Sequence, residues 1–182
     1  FFDDDSKETT CLWAPRYSYK SSVVKAYITR MVLAHPNISI LLIMHDYEEA
    51  EERSAQIRDS LLENETIVDM FGGQSLKGSV WQRKRWTTSM RADKSTQQPT
   101  LTIASPKKAK AGGRFNLIIF DDVVPENAPE SEAIRKEGIR CVERSLNLKA
   151  RGTLFKLIGT PYHTEDANHW VVNAGWDALI DL

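Results

Sequence analysis

Apolar and polar positions along the 182-residue chain switch between strand-like runs and helical spacing, and this predicts strands interleaved with helices. Thr9 to Trp13 is a short apolar run that stops at Ala14-Pro15, as a buried strand entering a turn does. From Ser21 the residues Val24, Ile28 and Met31-Val32 return at helical spacing until His35-Pro36 halts the helix. Ile38 to Met44 is almost continuously aliphatic, the signature of a strand covered on both faces. Asp46 is placed to cap the next helix. Its first turns carry Glu48, Glu49, Glu51 and Glu52, where the helix dipole favours acids. That helix turns Ala50, Ile57 and Leu61 inward and fades near Asn64. From Phe71 to Asn116 the chain is polar, basic and less regular, with a short strand over Thr100–Ala104. Leu117–Phe120 reads as a core strand, Pro129–Leu146 as a helix burying Ile134, Cys141 and Val142, Thr153–Ile158 as a strand, and Trp176–Leu182 as a last one. Strands alternating with helices predict an α/β fold, a mostly parallel central sheet flanked by helices on both faces.

Composition narrows the class without deciding it. The length suits one domain with a proper core, and 41% hydrophobic with 27% charged residues is ordinary for a globular chain. No apolar run approaches the ~20 residues a membrane span requires. The start, Phe1-Phe2-Asp3-Asp4-Asp5, is acidic where a secretory signal is basic, and two cysteines, Cys11 and Cys141, fit a reducing compartment. His35, His45, His163 and His169 are scattered, without partners at zinc-ligand spacing. Net charge is −1, yet residues 77–114 gather Lys77, Arg83, Lys84, Arg85, Arg91, Lys94, Lys107, Lys108, Lys110 and Arg114 against the single acid Asp93. A basic stretch on a neutral chain is a local feature.

Three segments carry chemistry. Ala14-Pro15-Arg16-Tyr17-Ser18-Tyr19-Lys20-Ser21 stands between a strand and a helix, where a phosphate-binding loop belongs. The pattern G-x-x-x-x-G-K-[ST] uses glycines to bring backbone N–H groups against phosphates, its lysine on the β- and γ-phosphates and its hydroxyl on Mg²⁺. Lys20-Ser21 is intact, but Ala14 and Tyr19 replace both glycines, and a side chain at Tyr19 obstructs the cradle if that position needs positive φ. Leu117-Ile118-Ile119-Phe120-Asp121-Asp122 is an apolar strand ending in two acids; in such an ATPase the first holds the metal shell and the second polarises the attacking water. Leu157-Ile158-Gly159-Thr160-Pro161-Tyr162-His163 is a third strand ending in a small polar turn, whose hydroxyl can sense a γ-phosphate. Each also reads as an ordinary helix start or strand-end turn. Trp81-Gln82-Arg83-Lys84-Arg85-Trp86 can track a DNA backbone by charge with its tryptophans packed below, or be a solvated loop that they anchor. Lys107-Lys108-Ala109-Lys110 is a second basic run of the same kind.

In their order and spacing these segments resemble the N-terminal ATPase domain of phage large terminases, nearly end to end. Pro15-Arg16 with Lys20-Ser21, Phe71-Gly72, the Trp81–Trp86 basic stretch, Gly113-Arg114, Asp121-Asp122, Gly159-Thr160-Pro161-Tyr162-His163, Asp166 and Gly175-Trp176 stand where that family's features stand. The resemblance implies a RecA-like P-loop NTPase fold, with ATP and Mg²⁺ as cofactors. ATP would be held by residues 14–22, namely Ala14, Pro15, Arg16, Tyr17, Ser18, Tyr19, Lys20, Ser21 and Ser22, and the metal by Ser21 and Asp121. Asp122, Arg16 and Arg114 would be the catalytic groups, Arg114 as an arginine finger offered within the chain or to a neighbour, and Thr160 the coupling residue. Arg83, Lys84, Arg85, Lys107 and Lys108 are the candidate DNA contacts. Implied partners are double-stranded DNA, a portal, a small terminase subunit and further copies in a ring, in the cytoplasm of an infected host and transiently on the procapsid. The family's RNase H-like nuclease half is not in this sequence, so no DNA cleavage is expected from it. The alternatives are a helicase-like nucleic-acid motor and a nucleotide-binding module with little turnover.

Overall fold

The computed structural model describes residues 4–93, 95–109 and 113–180, with residues 150 and 151 described by backbone alone. Eight strands form one sheet: β1 (Thr9–Trp13), β2 (Ile40–Met44), β3 (Lys77–Gln82), β4 (Arg85–Thr88), β5 (Leu101–Ala104), β6 (Phe115–Asp121), β7 (Lys149–Gly159) and β8 (Asp177–Ile180). Their spatial order is β3-β4-β5-β2-β6-β7-β1-β8. From β5 to β8 every pairing is parallel, and only β4 runs the other way, antiparallel to both β3 and β5. Five α-helices complete the described residues: α1 (Lys20–Ala34), α2 (Tyr47–Glu63), α3 (Glu65–Phe71), α4 (Glu132–Leu146) and α5 (Ala167–Asn173).

The aliphatic runs are explained by two cores, one on each face of the sheet. Ile40, Leu42 and Met44 of β2, with Leu117 and Ile119 of β6, pack against Val24, Ile28 and Val32 of α1 and Ala50, Ile57 and Leu61 of α2. Leu41 and Ile43, with Ile118 and Phe120, face the other way against Cys141 and Val142 of α4 and Val171 of α5. A strand buried on both faces has no position left for a polar residue, which is why β2 is entirely apolar. Trp176, just before β8, closes the second core against Phe120 and Phe155, with ring centroids 6.3 Å from each. Asp46 caps α2 as expected, accepting from the N–H groups of Glu48 and Glu49.

The stretch that reads as irregular holds more order than its polarity predicts. Asn64 ends α2 and caps α3, its side chain accepting from Ile67 N–H. Lys77 to Thr88 folds into a hairpin, β3 and β4, with Trp81 opposite Trp86 and their rings 5.7 Å apart. Trp86 is fully buried and donates its indole N–H to Ser54 Oγ of α2 at 3.0 Å, so the tryptophans do anchor this segment. β3 is an edge strand with no fully buried position, and such a strand carries little periodic signal. α4 starts at Glu132, not at Pro129, because Ala128–Glu130 forms a separate 3₁₀ turn. No helix among the described residues is long and apolar enough to cross a membrane.

Candidate functional site

β1 and β2 are consecutive in sequence, yet β6 and β7 lie between them in the sheet. Chain reversals of this kind leave a crevice at the carboxyl ends of parallel strands, where open α/β sheets bind ligands. A cavity of about 740 Å³ opens there. The loop after β1 and the start of α1 supply Arg16 to Ser22, the ends of β6 and β7 supply Asp122 and Thr160, the β2–α2 turn supplies His45 and Asp46, and the first turn of α2 supplies Glu49. Val124, Pro125, Glu126 and Tyr162 complete the rim. Segments separated by more than a hundred residues thus meet in one cavity.

Lys20 organises the loop. Its side chain is almost fully buried, and its ammonium donates to the carbonyls of Ala14 and Pro15 at 3.1 and 2.9 Å and to Thr160 Oγ1 at 2.8 Å. Thr160 Oγ1 in turn donates to the Ala14 carbonyl at 3.0 Å. Ser18 Oγ closes the loop on the Pro15 carbonyl at 2.7 Å. Ala14 and Pro15 therefore act through backbone oxygens that hold the lysine.

Tyr19 sits at φ 59°, in the left-handed region, where the standard pattern has a glycine. Among the described residues the non-glycine positive-φ positions are Tyr17, Tyr19 and Asp122, and all of them line this cavity. Such conformations cost about 1–2 kcal/mol each and collect at functional sites. Tyr19 thus holds the positive φ that is the condition for obstruction of the cradle, and Tyr17 and Tyr19, 96% and 79% exposed, both line the cavity. Tyr19 also begins α1 without any side-chain cap, so the helix N-terminus presents its dipole and first-turn N–H groups to the cavity.

Two carboxylates end β6. Asp121 is buried, and desolvation pushes its pKa up to about 7, against the pull of Arg53 and with the neighbouring Asp122 adding to the rise. Its Oδ2 meets Arg53 Nη1 at 3.3 Å, while its Oδ1 is buried with no hydrogen-bond partner. Asp122 is likewise raised by burial, while Lys20 and the Thr160 N–H lower it. The turn that carries Thr160 is held by Asp166, a fully buried carboxylate accepting from the N–H groups of Tyr162, His163 and His169 at 2.9, 3.2 and 3.1 Å. Gly159 permits this packing, since a Cβ there would stand 2.8 Å from Asn168 Oδ1. Arg16 reaches across the rim to Glu126 Oε2 at 2.7 Å and the Tyr162 hydroxyl at 3.2 Å.

The ATP and Mg²⁺ expected from sequence fit these residues: an uncapped helix start beside a lysine, and a buried carboxylate with one unpartnered oxygen near a serine hydroxyl. Other expected residues fall elsewhere. Arg114 is exposed at the opposite end of β6, roughly 23 Å from Asp121 at about 3.3 Å per residue, beside Gln98 and Asn116. Arg83 and Lys84 form the tip of the β3–β4 hairpin, where Ile103 N–H donates to the Lys84 carbonyl at 3.1 Å. Lys107 and Lys108 follow β5 at the same end of the strands as this tip, Lys108 over the Tyr47 ring at 5.2 Å. The exposed Arg83, Lys84, Arg85, Lys107 and Lys108 thus lie on the cavity side of the sheet; Lys110 lies outside the described residues. The sequence reading missed Arg53, which bonds both Ser21 and Asp121. The available signal was position, because Arg53 flanks the inward stripe Ala50, Ser54, Ile57 and Leu61 of α2.

No protein-family model matches the sequence, and no curated protein matches it. Solved structures do share the fold. The large terminase ATPase domain of Thermus phage P74-26, in an arginine-to-alanine mutant form, has a TM-score of 0.53 and 16% identity, covering 86% of this chain and 61% of that one. A hypothetical ATP-dependent RNA helicase of Sulfolobus tokodaii has a TM-score of 0.53 and 9% identity over 97% of this chain and 49% of its own. S. cerevisiae Dbp5 bound to RNA and ADP BeF3 has a TM-score of 0.51 and 7% identity over 96% and 42%. The chain therefore has the RecA-like fold of helicase and terminase ATPase domains, and spans less than two thirds of each of these structures.

Tyr19→Gly is expected to stabilise the fold by about 1 kcal/mol, as the left-handed penalty outweighs the added unfolded-state entropy; urea midpoints measure it, and a loss of stability would show that the ring has a packing role. A second outcome concerns pH. Folding lifts the Asp121 carboxyl from its usual range to about 7, so the folded chain binds this proton more tightly than the unfolded one. Its stabilising contribution is full below the unfolded pKa and is lost as pH rises through the folded one. In EDTA, the stability gap between Asp121→Asn and wild type should move in the variant's favour by roughly 2–3 kcal/mol from pH 5 to 8. A gap that stays flat over that range would mean the carboxyl is already ionised.

Proposed function

We propose that this chain is a P-loop ATPase of the large-terminase type, hydrolysing ATP with Mg²⁺ to drive double-stranded DNA into a procapsid. The observation that carries the ATPase reading is the meeting of Lys20, Ser21, Asp121, Asp122 and Thr160 at the ends of three parallel strands. The terminase reading adds the ordered motifs of the sequence and is supported by one of the structural likenesses. The helicase-like reading is supported equally by the others.

In this reading the γ-phosphate seats at the start of α1, and Lys20 exchanges a loop carbonyl or Thr160 for phosphate oxygens. Ser21 and Asp121 would hold Mg²⁺, which would supply neutralisation of the phosphate charge. Asp122 orients the attacking water and accepts its proton, with burial raising its basicity. Arg16 leaves Glu126 for the γ-phosphate. Thr160 touches Lys20 and also bonds Asp122 through its N–H, so it can pass the state of the phosphate to the turn after β7. Arg114, at the far end of β6, serves as a finger only toward a neighbouring chain in a ring. Arg83, Lys84, Arg85, Lys107 and Lys108 would follow the phosphates of duplex DNA, while a portal and a small terminase subunit would be the protein partners.

Phosphate release by wild type should fall at least ~100-fold in Lys20→Ala and Asp121→Ala, the scale of losing one electrostatic catalytic group; equal rates in all three would leave a binding module without turnover. Duplex DNA should stimulate this rate more than single-stranded DNA or RNA, and strand separation by the chain would instead favour the helicase-like reading. For the basic edge, Arg83→Ala/Lys84→Ala should weaken duplex binding and reduce its salt slope by about two. An unchanged slope would move the DNA path away from the hairpin.

A further inference from the structure

Ser21 and Asp121, the residues assigned above to the metal, already share a cation of the chain's own. Arg53 of α2 donates from Nη2 to Ser21 Oγ at 2.8 Å and from Nη1 to the Ser21 carbonyl at 3.0 Å and to Asp121 Oδ2 at 3.3 Å. The guanidinium side chain is 13% exposed and the carboxylate 1%, so the pair is screened from water. Buried charges of this kind persist only when paired and hydrogen-bonded, and the planar fork of an arginine is suited to bridging two acceptors. Nothing in the packing of α2 asks for an arginine there, since its neighbours on the inward stripe are Ala50, Ser54 and Ile57.

We infer that Arg53 competes with the divalent cation for Ser21 and Asp121, and so sets how much Mg²⁺ the site requires before it accepts nucleotide. A second cation on Ser21 Oγ and the Asp121 carboxylate, even through the unpartnered Oδ1, would stand against the guanidinium in a region of low dielectric, where like charges repel strongly. Arg53 therefore has to swing away when the metal is bound. The bonds it gives up oppose metal binding, and the phosphate charge of the nucleotide supplies the attraction that overcomes them. In this arrangement Mg²⁺ alone binds weakly, and Mg²⁺ arriving with ATP binds well. Arg53 is a positioning residue here, acting through Ser21 and Asp121.

This inference rests on the ATPase reading, and its test separates the two. In nucleotide-free protein, the thermal midpoint of wild type should not move with added MgCl₂. In Arg53→Gln it should start lower and rise with MgCl₂, and the response should vanish in Arg53→Gln/Asp121→Asn, which also regains stability because both buried partners are gone. The Mg²⁺ concentration giving half-maximal binding of a fluorescent ATP analogue should fall about tenfold in Arg53→Gln, equivalent to about 1.4 kcal/mol. Arg53→Lys keeps the charge without the fork and should lower the requirement by less; it is the variant to read if Arg53→Gln does not fold. An unchanged or increased Mg²⁺ requirement in the folded variants overturns the competition. Failure of wild type to bind the analogue at any Mg²⁺ concentration would instead overturn the ATPase reading, leaving the Mg²⁺-only melting comparison to decide the role of Arg53.

Discussion

The burial of an ammonium group at the start of α1 sets the terms for everything around it. Lys20 cannot lie almost out of solvent unless its protons have partners, and it finds them in two carbonyls of its own loop and a hydroxyl from another strand. To bring those carbonyls onto one nitrogen, the loop from Ala14 to Tyr19 has to curl tightly, and Tyr17 and Tyr19 take left-handed backbone to do so. The same bonds tie β1 to the end of β7, which fixes Thr160 beside Asp122. A loop without glycine thus attains its curvature by anchoring on its own lysine while its two tyrosines take left-handed backbone.

Charge balance explains the remainder of the site. Asp121 and Asp122 are neighbours at the end of a buried strand, and both resist ionisation because water is excluded, with Asp122 adding to the cost at Asp121. Lys20 and Arg53 offset that cost from opposite sides. Polar side chains in so dry a place are held by bonds to protein, and each of these cations would have to exchange protein partners for ligand partners on binding. Exchange of this sort favours a ligand that brings its own compensating charges, as a metal–nucleotide complex does.

The parallel sheet supplies the rigidity against which these exchanges can occur. Its central strands are packed on both faces, and their carboxyl ends present the loop after β1, the acids of β6 and the turn after β7 at fixed spacing. Asp166 stiffens the last of these by gathering three backbone N–H groups on one carboxylate. At the same end of the strands, the basic hairpin tip and the turn after β5 gather positive charge, and burial lowers the pKa of the cavity residue His45 with Lys107 adding to the fall.

The aliphatic runs of β2 and β6, the helical stripe of α1 and the Asp46 cap of α2 were written in the sequence, because each depends on neighbours within a few residues. So were Lys20-Ser21, Asp121-Asp122 and Thr160, since residue type and strand–loop context are both local. The β3–β4 hairpin was not legible: its strands expose most of their side chains, and what holds them is a tryptophan reaching Ser54 more than thirty residues earlier. Only the tertiary structure decided that Arg114 sits at the wrong end of β6 for its own chain's cavity, and that the two basic runs lie at one end of the strands. It alone showed Tyr19 in left-handed backbone at the cavity and Arg53 standing between Ser21 and Asp121. These facts depend on which strands lie side by side, and strand order is settled by packing across the whole sheet, which no short stretch of sequence contains.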